Sequence, residues 1–173
     1  MKKILIAFSA ITALLIPTPA NAADTGYRYW GYFQAGPGAQ QWSAAMTGPT
    51  VDVADGSVEG WIFTFSGDDV PDASSPKIKP NFSSICGKTQ TVSGKKRIGL
   101  VIDFGTSAIR PKGEKIQKAI TKCVIVDKQA QGIDVLGAVA KIRSNSSGLI
   151  CGLNGYPAKE CGALIPTPLK LKK

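Results

Sequence analysis

Asp55-Gly56-Ser57-Val58-Glu59-Gly60-Trp61-Ile62-Phe63-Thr64-Phe65 decides how the rest of the chain is read. Asp-Gly marks a turn, and the run behind it is rich in residues that suit a pleated, half-buried surface. Val58 to Phe65 therefore reads as a strand, with Trp61, Phe63 and Phe65 on one face and Glu59, Ile62 and Thr64 mixed on the other. Since the faces are not cleanly polar and apolar, partial burial is expected on both. Upstream, Tyr27, Tyr29, Trp30, Tyr32 and Phe33 crowd into one run ending at Gln34, which reads as a second strand stopped by Gly36-Pro37-Gly38. Between the two, Gln40 to Met46 carries Trp42 and reads as a short strand or an irregular return. All three tryptophans and three of the four tyrosines lie between Tyr27 and Phe65. Large rings supply most apolar area per residue and anchor many contact surfaces. Together with Phe33, Phe63 and Phe65 they exceed what one face of a short hairpin can bury, so some should line a surface.

Further along, Gly67 to Pro80 holds three prolines and reads as a mobile loop. Asn81 can cap a helical turn ending at Cys86, with Phe82 and Ile85 three residues apart. Arg97 to Phe104 is almost continuously apolar and reads as a central strand buried on both faces. Gly105 to Ala119 is a polar, basic excursion, and Cys123 to Asp127 a short buried strand. Ile133 to Arg143 has the spacing of the one good amphipathic helix. Leu149 to Leu153 reads as a last strand feeding the Asn154-Gly155 turn, and Ile165 to Lys173 as an extended, poorly ordered Pro/Lys tail. The sum is a small α+β domain with a mixed or antiparallel sheet and one main helix.

The amino terminus has a different character. Lys2-Lys3, the apolar run from Ile4 to Ile16, and Ala20-Asn21-Ala22 form the three parts of a secretory signal, with cleavage expected after Ala22. The run is too short for a permanent membrane span. Residues 1–22 are therefore assigned to the signal, 23–164 to a single domain and 165–173 to the tail. Loss of Lys2 and Lys3 takes the basic count from 21 to 19 against 12 acidic residues, and the net charge from +9 to +7. Lysines cluster at 95–96, at 112, 115 and 118, and in the tail, a pattern that suits a solvated face or attraction to an anionic envelope. No RNP-like or helix-turn-helix pattern points to nucleic acid.

An even count of four cysteines in an exported chain reads as two disulfides. Because Cys151 and Cys161 flank the Asn154-Gly155 hairpin, the simplest pairing is Cys151 with Cys161 and Cys86 with Cys123, two other connectivities being formally open. The sequence has no histidine, which removes Ser-His-Asp and Cys-His pairs and imidazole-ligated metals. No Cys-x-x-Cys spacing supports a metal site, and no cofactor is implied. Paired carboxylates among Asp55, Glu59 and Asp103 would be the remaining catalytic option, although Asp55 and Asp103 read better as turn and strand-end residues.

Three stretches taken together carry a family resemblance. They are Tyr29-Trp30-Gly31-Tyr32 continuing to the Asp55–Trp61 run, then Gly94-Lys95-Lys96-Arg97-Ile98-Gly99-Leu100-Val101-Ile102-Asp103-Phe104-Gly105, then Gly148-Leu149-Ile150-Cys151-Gly152-Leu153-Asn154-Gly155-Tyr156-Pro157-Ala158. The chain resembles an uncharacterised secreted family of Gram-positive bacteria whose members tend to be encoded beside energy-coupling-factor vitamin transporters. The Gly132–Leu136 helix start followed by Gly148–Gly155 is also similar to the transcobalamin-like C-terminal domain, a small β-grasp-type module. The aromatic hairpin is similar to that module's last part, moved to the front. Such a circular rearrangement implies that the Trp61 strand shares a sheet with the Cys151 strand.

The expectation is thus an exported, disulfide-stabilised, non-catalytic binding module at the cell surface. The resemblance implies presentation or capture of a vitamin-like ligand, a corrinoid being the specific candidate, for a membrane vitamin transporter. The alternatives are an adhesive domain contacting another surface protein and, behind it, a small secreted hydrolase. Tyr29, Trp30, Tyr32, Trp42, Trp61 and Tyr156 are the candidate contact residues.

Overall fold

The computed structural model describes residues 24–172; the expected signal peptide lies outside them. Its strands are β1 (Thr25–Ala35), β2 (Ser43–Ala44), β3 (Val58–Gly67), β4 (Lys95–Asp103), β5 (Ile120–Asp127), β6 (Ile142–Ser144), β7 (Ile150–Leu153) and β8 (Ala163–Pro166). The helices are α1 (Phe82–Cys86) and α2 (Gly132–Gly137). One mixed sheet runs β2-β1-β3-β4-β5, with β8 beside the first residues of β1; β6 and β7 form a separate ribbon. Pairing is antiparallel except between β3 and β4, which are parallel.

Alternation sorts this sheet into two faces. Trp30 sits opposite Phe63 and Tyr32 opposite Trp61 across β1 and β3, and Trp61 is level with Ile102 of β4. These residues, with Phe65, Ile98, Leu100 and Val124, form one buried cluster with Val135 and Leu136 of α2 and Ile150, Leu153 and Tyr156 of the β7 hairpin. The other face holds a smaller cluster of Ala35, Val58 and Val101, packed by Trp42, Phe82 and Ile85. Each large side chain removed from water contributes roughly 1.5–3 kcal/mol, so the α2 face carries most of the apolar stabilisation.

Local chemistry accounts for the covers. Asn81 caps α1, its Oδ1 accepting from the Ser84 amide at 2.8 Å, and Cys86 bonds to Cys123 to tie α1 to β5. Cys151 bonds to Cys161 across the second hairpin. There Asn154 and Gly155 take φ of 51° and 78°, the left-handed pair a two-residue turn needs, and Leu153 and Tyr156 exchange backbone bonds of 2.9 and 3.0 Å. Both disulfides follow the simplest pairing, and the α+β class, small sheet and central β4 match the reading from sequence.

Several expectations are corrected. Period two puts Glu59 on the face of Trp61, not with Ile62 and Thr64, and Val58 to Phe65 are all buried rather than partly so. The helix expected over 133–143 ends at Gly137. Its start is held by Gln131 and Asp134, but Ile142 gains more by standing opposite Leu153 in β6 than by prolonging a helix past glycine. β5 is an edge strand with Thr121, Lys122, Ile125 and Asp127 exposed. Beyond β7 the chain is extended but not loose: Ala163–Pro166 pairs with Thr25–Arg28, and Lys172 bridges Asp24 at 2.5 Å. Finally, the Trp61 strand and the Cys151 strand lie in different sheets. The circular rearrangement required them to share one, so that arrangement does not describe this fold.

Candidate binding groove at Trp42

Four of the six candidate rings meet on the α2 face, and packing absorbs them. Trp30 is 4% exposed, meets Phe104 edge-on at 5.4 Å between centroids, and donates from Nε1 to the Tyr156 carbonyl at 3.1 Å. Trp61 and Tyr156 are fully covered, Tyr156 lying edge-on to Phe63 at 5.2 Å. Burial pushes the Tyr156 phenol up to about 12. Tyr32, half-buried, stacks on Trp61 at 4.5 Å. More rings can be buried than one hairpin face would cover because α2 and the β7 hairpin close over them from far along the chain.

Beside this stack lies a buried polar group. The Tyr32 hydroxyl donates to Glu59 Oε2, and Gln34 Nε2 donates to the Tyr32 hydroxyl at 2.8 Å. Burial raises the Glu59 carboxyl above its ordinary value, outweighing the stabilising Tyr32 and Gln34 bonds and the charge of Lys96. Burial likewise raises the Tyr32 phenol, reinforced by the neighbouring Glu59 charge. Lys96 is itself buried, not solvated as its cluster suggested, and donates to the Val53 and Ala130 carbonyls, both at 2.7 Å. Gly132 seals the group: a Cβ there would fall 2.6 Å from the Tyr32 hydroxyl oxygen. This cluster braces α2 against the sheet.

The three carboxylates weighed for catalysis are kept apart. Glu59 is on the α2 face. Asp103, level with Ile62, is on the opposite face, where its Oδ2 accepts from the Lys77 amide at 3.1 Å. Asp55 accepts from the Arg97 amide at 2.6 Å in the turn before β3. Among the described residues no group of three His, Cys, Asp or Glu side chains is placed to hold a metal ion.

Tyr29 and Trp42 remain, both on the α1 face and both half-buried. Tyr29 shares a 3.2 Å hydrogen bond with the Ser66 hydroxyl. Trp42 packs against β3 at Gly60, where a Cβ would stand 2.7 Å from the indole, so only glycine admits the ring. Its Nε1 donates to the Ile78 carbonyl at 3.0 Å, fixing the plane. The groove beside it, about 650 Å³, is lined by Gln40, Gln41, Ser75, Lys77 and Lys79 over Pro76 and Pro80. Two glutamines, two lysines and Trp42 thus border one opening, with Gln40 Oε1 also accepting from Asn81 Nδ2 at 3.4 Å. The glutamines and lysines were missed in the sequence because they lie on two loops some 35 residues apart. Pro76 and Pro80 of the 67–80 loop border the groove with them.

No curated protein and no solved structure matches this chain. A family model described as SCO2322-like domain matches residues 22–165, spanning all three quoted motifs and both walls of the Trp42 groove. The chain belongs to the SCO2322-like domain family.

Proposed function

We propose that this chain is an exported, non-catalytic binding module that docks on an anionic, hydroxyl-rich polymer of the cell envelope through the Trp42 groove. The observation that carries this reading is the placement of Trp42, held by Gly60 and Ile78 with Gln40, Gln41, Lys77 and Lys79 around one opening. An indole face stacks on the C–H side of polyol or sugar units, amides bond hydroxyls, and ammonium groups pair with phosphate or carboxylate. Export is supported by the two disulfides and the leader-like residues 1–22; among the described residues no helix is long and apolar enough to cross a membrane. The non-catalytic part rests on the separation of Glu59 from Asp103 by the sheet.

A corrinoid or other flat vitamin would press on several rings at once, and Trp30, Trp61 and Tyr156 are in the core, so this ligand class is less well served. Docking to a membrane vitamin transporter, which the resemblance implied, would then follow from attachment to the envelope near it. A second reading is adhesion by strand addition, favoured by β5, which pairs only with β4 among the described residues.

The test is titration of residues 23–173 with poly(glycerol phosphate) and with uncharged dextran, followed by tryptophan fluorescence. Saturable, salt-weakened binding of the phosphate polymer is expected, abolished in Trp42→Ala and weakened roughly tenfold when Lys77→Gln and Lys79→Gln are combined. Equal binding by parent and variants would remove the groove from consideration. Loss of binding in Ile125→Lys alone would favour the β5 edge.

A further inference from the structure

β4 is shorter than β3. Their ladder ends at Ile62 opposite Asp103, while β3 runs on to Gly67. Backbone direction along β3 follows from its other neighbour. The Tyr32 carbonyl accepts from the Ala45 amide and so points away from β3; the odd residues of β1 therefore face β3, and the residues opposite them, Val58, Gly60, Ile62, Thr64 and Ser66, face back. Phe63 still donates its N–H to Asp103 where the ladder ends, and its C=O, with the N–H and C=O of Phe65 and Gly67, faces the side that β4 vacates.

Two of these three positions are taken. Gly105 crowds the Phe63 carbonyl, which a Cβ at Gly105 would approach to 2.3 Å. Gly67 exchanges two backbone bonds with Val70, both 2.9 Å. Phe65, itself only 2% exposed, lies between them: its place opposite Arg28 is a non-hydrogen-bonded position of the β1–β3 ladder, the β4 ladder has ended, and no loop backbone bonds to it among the described residues. It borders a cavity of about 210 Å³ whose wall is largely apolar, formed by Ile62, Val70, Ile109 and Leu171 with Ser74 and Thr106. Leu171 is brought there by the turn after Pro168 and by Lys172, which pairs with Asp24 and Asp69 at 2.5 and 3.5 Å.

We propose that this notch is a peptide-binding site: one extended residue with a small aliphatic side chain adds to β3 at Phe65 and exchanges backbone hydrogen bonds with it. One donor and one acceptor on the same residue, spaced for a strand and facing an apolar recess, are complementary to a peptide unit. The flanking Gly67–Val70 pair is the same interaction already made by the chain itself. The recess, about 210 Å³, is large enough for an aliphatic side chain of alanine or valine size, and Lys77 is the one charged residue in its wall. Ser75 and Lys77 border both this notch and the Trp42 groove, so the two openings adjoin. The proposal stands on the unpaired strand edge and does not require polymer binding.

The experiment is amide-resolved NMR of residues 23–173 titrated with acetyl-alanyl-valyl-alanine amide, alongside the same peptide N-methylated at valine. Saturable shifts at the Phe65 and Gly105 amides are expected, with hydrogen exchange at Phe65 slowed by the first peptide. N-methylation removes the donor that the Phe65 carbonyl would accept from, and should weaken binding roughly tenfold. If the Phe65 amide does not move at millimolar peptide, it is satisfied by hydration alone and the proposal fails. Equal binding of the methylated peptide would also overturn it, because apolar contact and not strand addition would then be responsible.

Discussion

The two faces of the six-stranded sheet come from the same strands and have opposite characters. On the α2 face β3 presents Trp61, Phe63 and Phe65 and β4 presents Ile98, Leu100 and Ile102, all closed over by α2 and the β7 hairpin. On the α1 face the same strands present Val58, Gly60, Ile62 and Thr64, then Gly99, Val101 and Asp103. Loops, a five-residue helix and a disulfide cover this side instead. The openings at Trp42 and at Phe65 both border it. Stability is thus concentrated on one face and accessible chemistry on the other.

The largest test of this division is Trp61→Ala, which should cost about 3–5 kcal/mol in urea unfolding, since the cavity beneath α2 cannot collapse. Trp42→Ala on the opposite face should cost about 1 kcal/mol or less while removing polymer binding. Comparable losses from both would mean that the α1 face is core as well, and the distinction would fall.

Next in size is removal of the Cys86–Cys123 bond, whose partners are 37 residues apart, by changing both to serine. A loss of about 3 kcal/mol is expected, with faster hydrogen exchange confined first to α1 and β5. Exchange that rises equally across the α2 face would show that the two covers do not open separately.

The smallest effect concerns Glu59. Its folded carboxyl titrates above the ordinary value of 4.5, so the folded state binds the proton more tightly than the unfolded chain does. The associated stability is fully present below pH 4.5 and is lost as pH rises through the elevated folded value. Glu59→Gln keeps an acceptor for Tyr32 and removes the titration, so its melting temperature should fall less than that of the parent between pH 4.5 and neutrality. Parallel profiles would place the origin of the pH dependence elsewhere.

Much of the fold was legible because it is written in local pattern. Alternation marked β1 and β3, a continuous apolar run marked β4, Asn81 announced α1, and the Asn154-Gly155 pair placed the second hairpin. The site was less legible. Six rings suggested one surface, yet Trp30, Tyr32, Trp61 and Tyr156 were drawn into the core by elements more than 60 residues beyond β3, which no window on the aromatic stretch contains. The helix over 133–143 failed for a related reason: Ile142 fits a helical stripe in sequence, but a place opposite Leu153 was available.

The sequence by itself determined the class of the domain and the positions of its long strands, while the cysteine pairing it left as the simplest of three. Those properties follow from side-chain period and turn chemistry, which act between near neighbours in the chain. Tertiary structure alone decided which rings remain accessible, that the Trp61 and Cys151 strands part into separate sheets, and that β3 outruns β4 to leave Phe65 unpaired. Burial and strand partnership are settled by what distant segments bring to a residue, and neither is encoded at the residue itself.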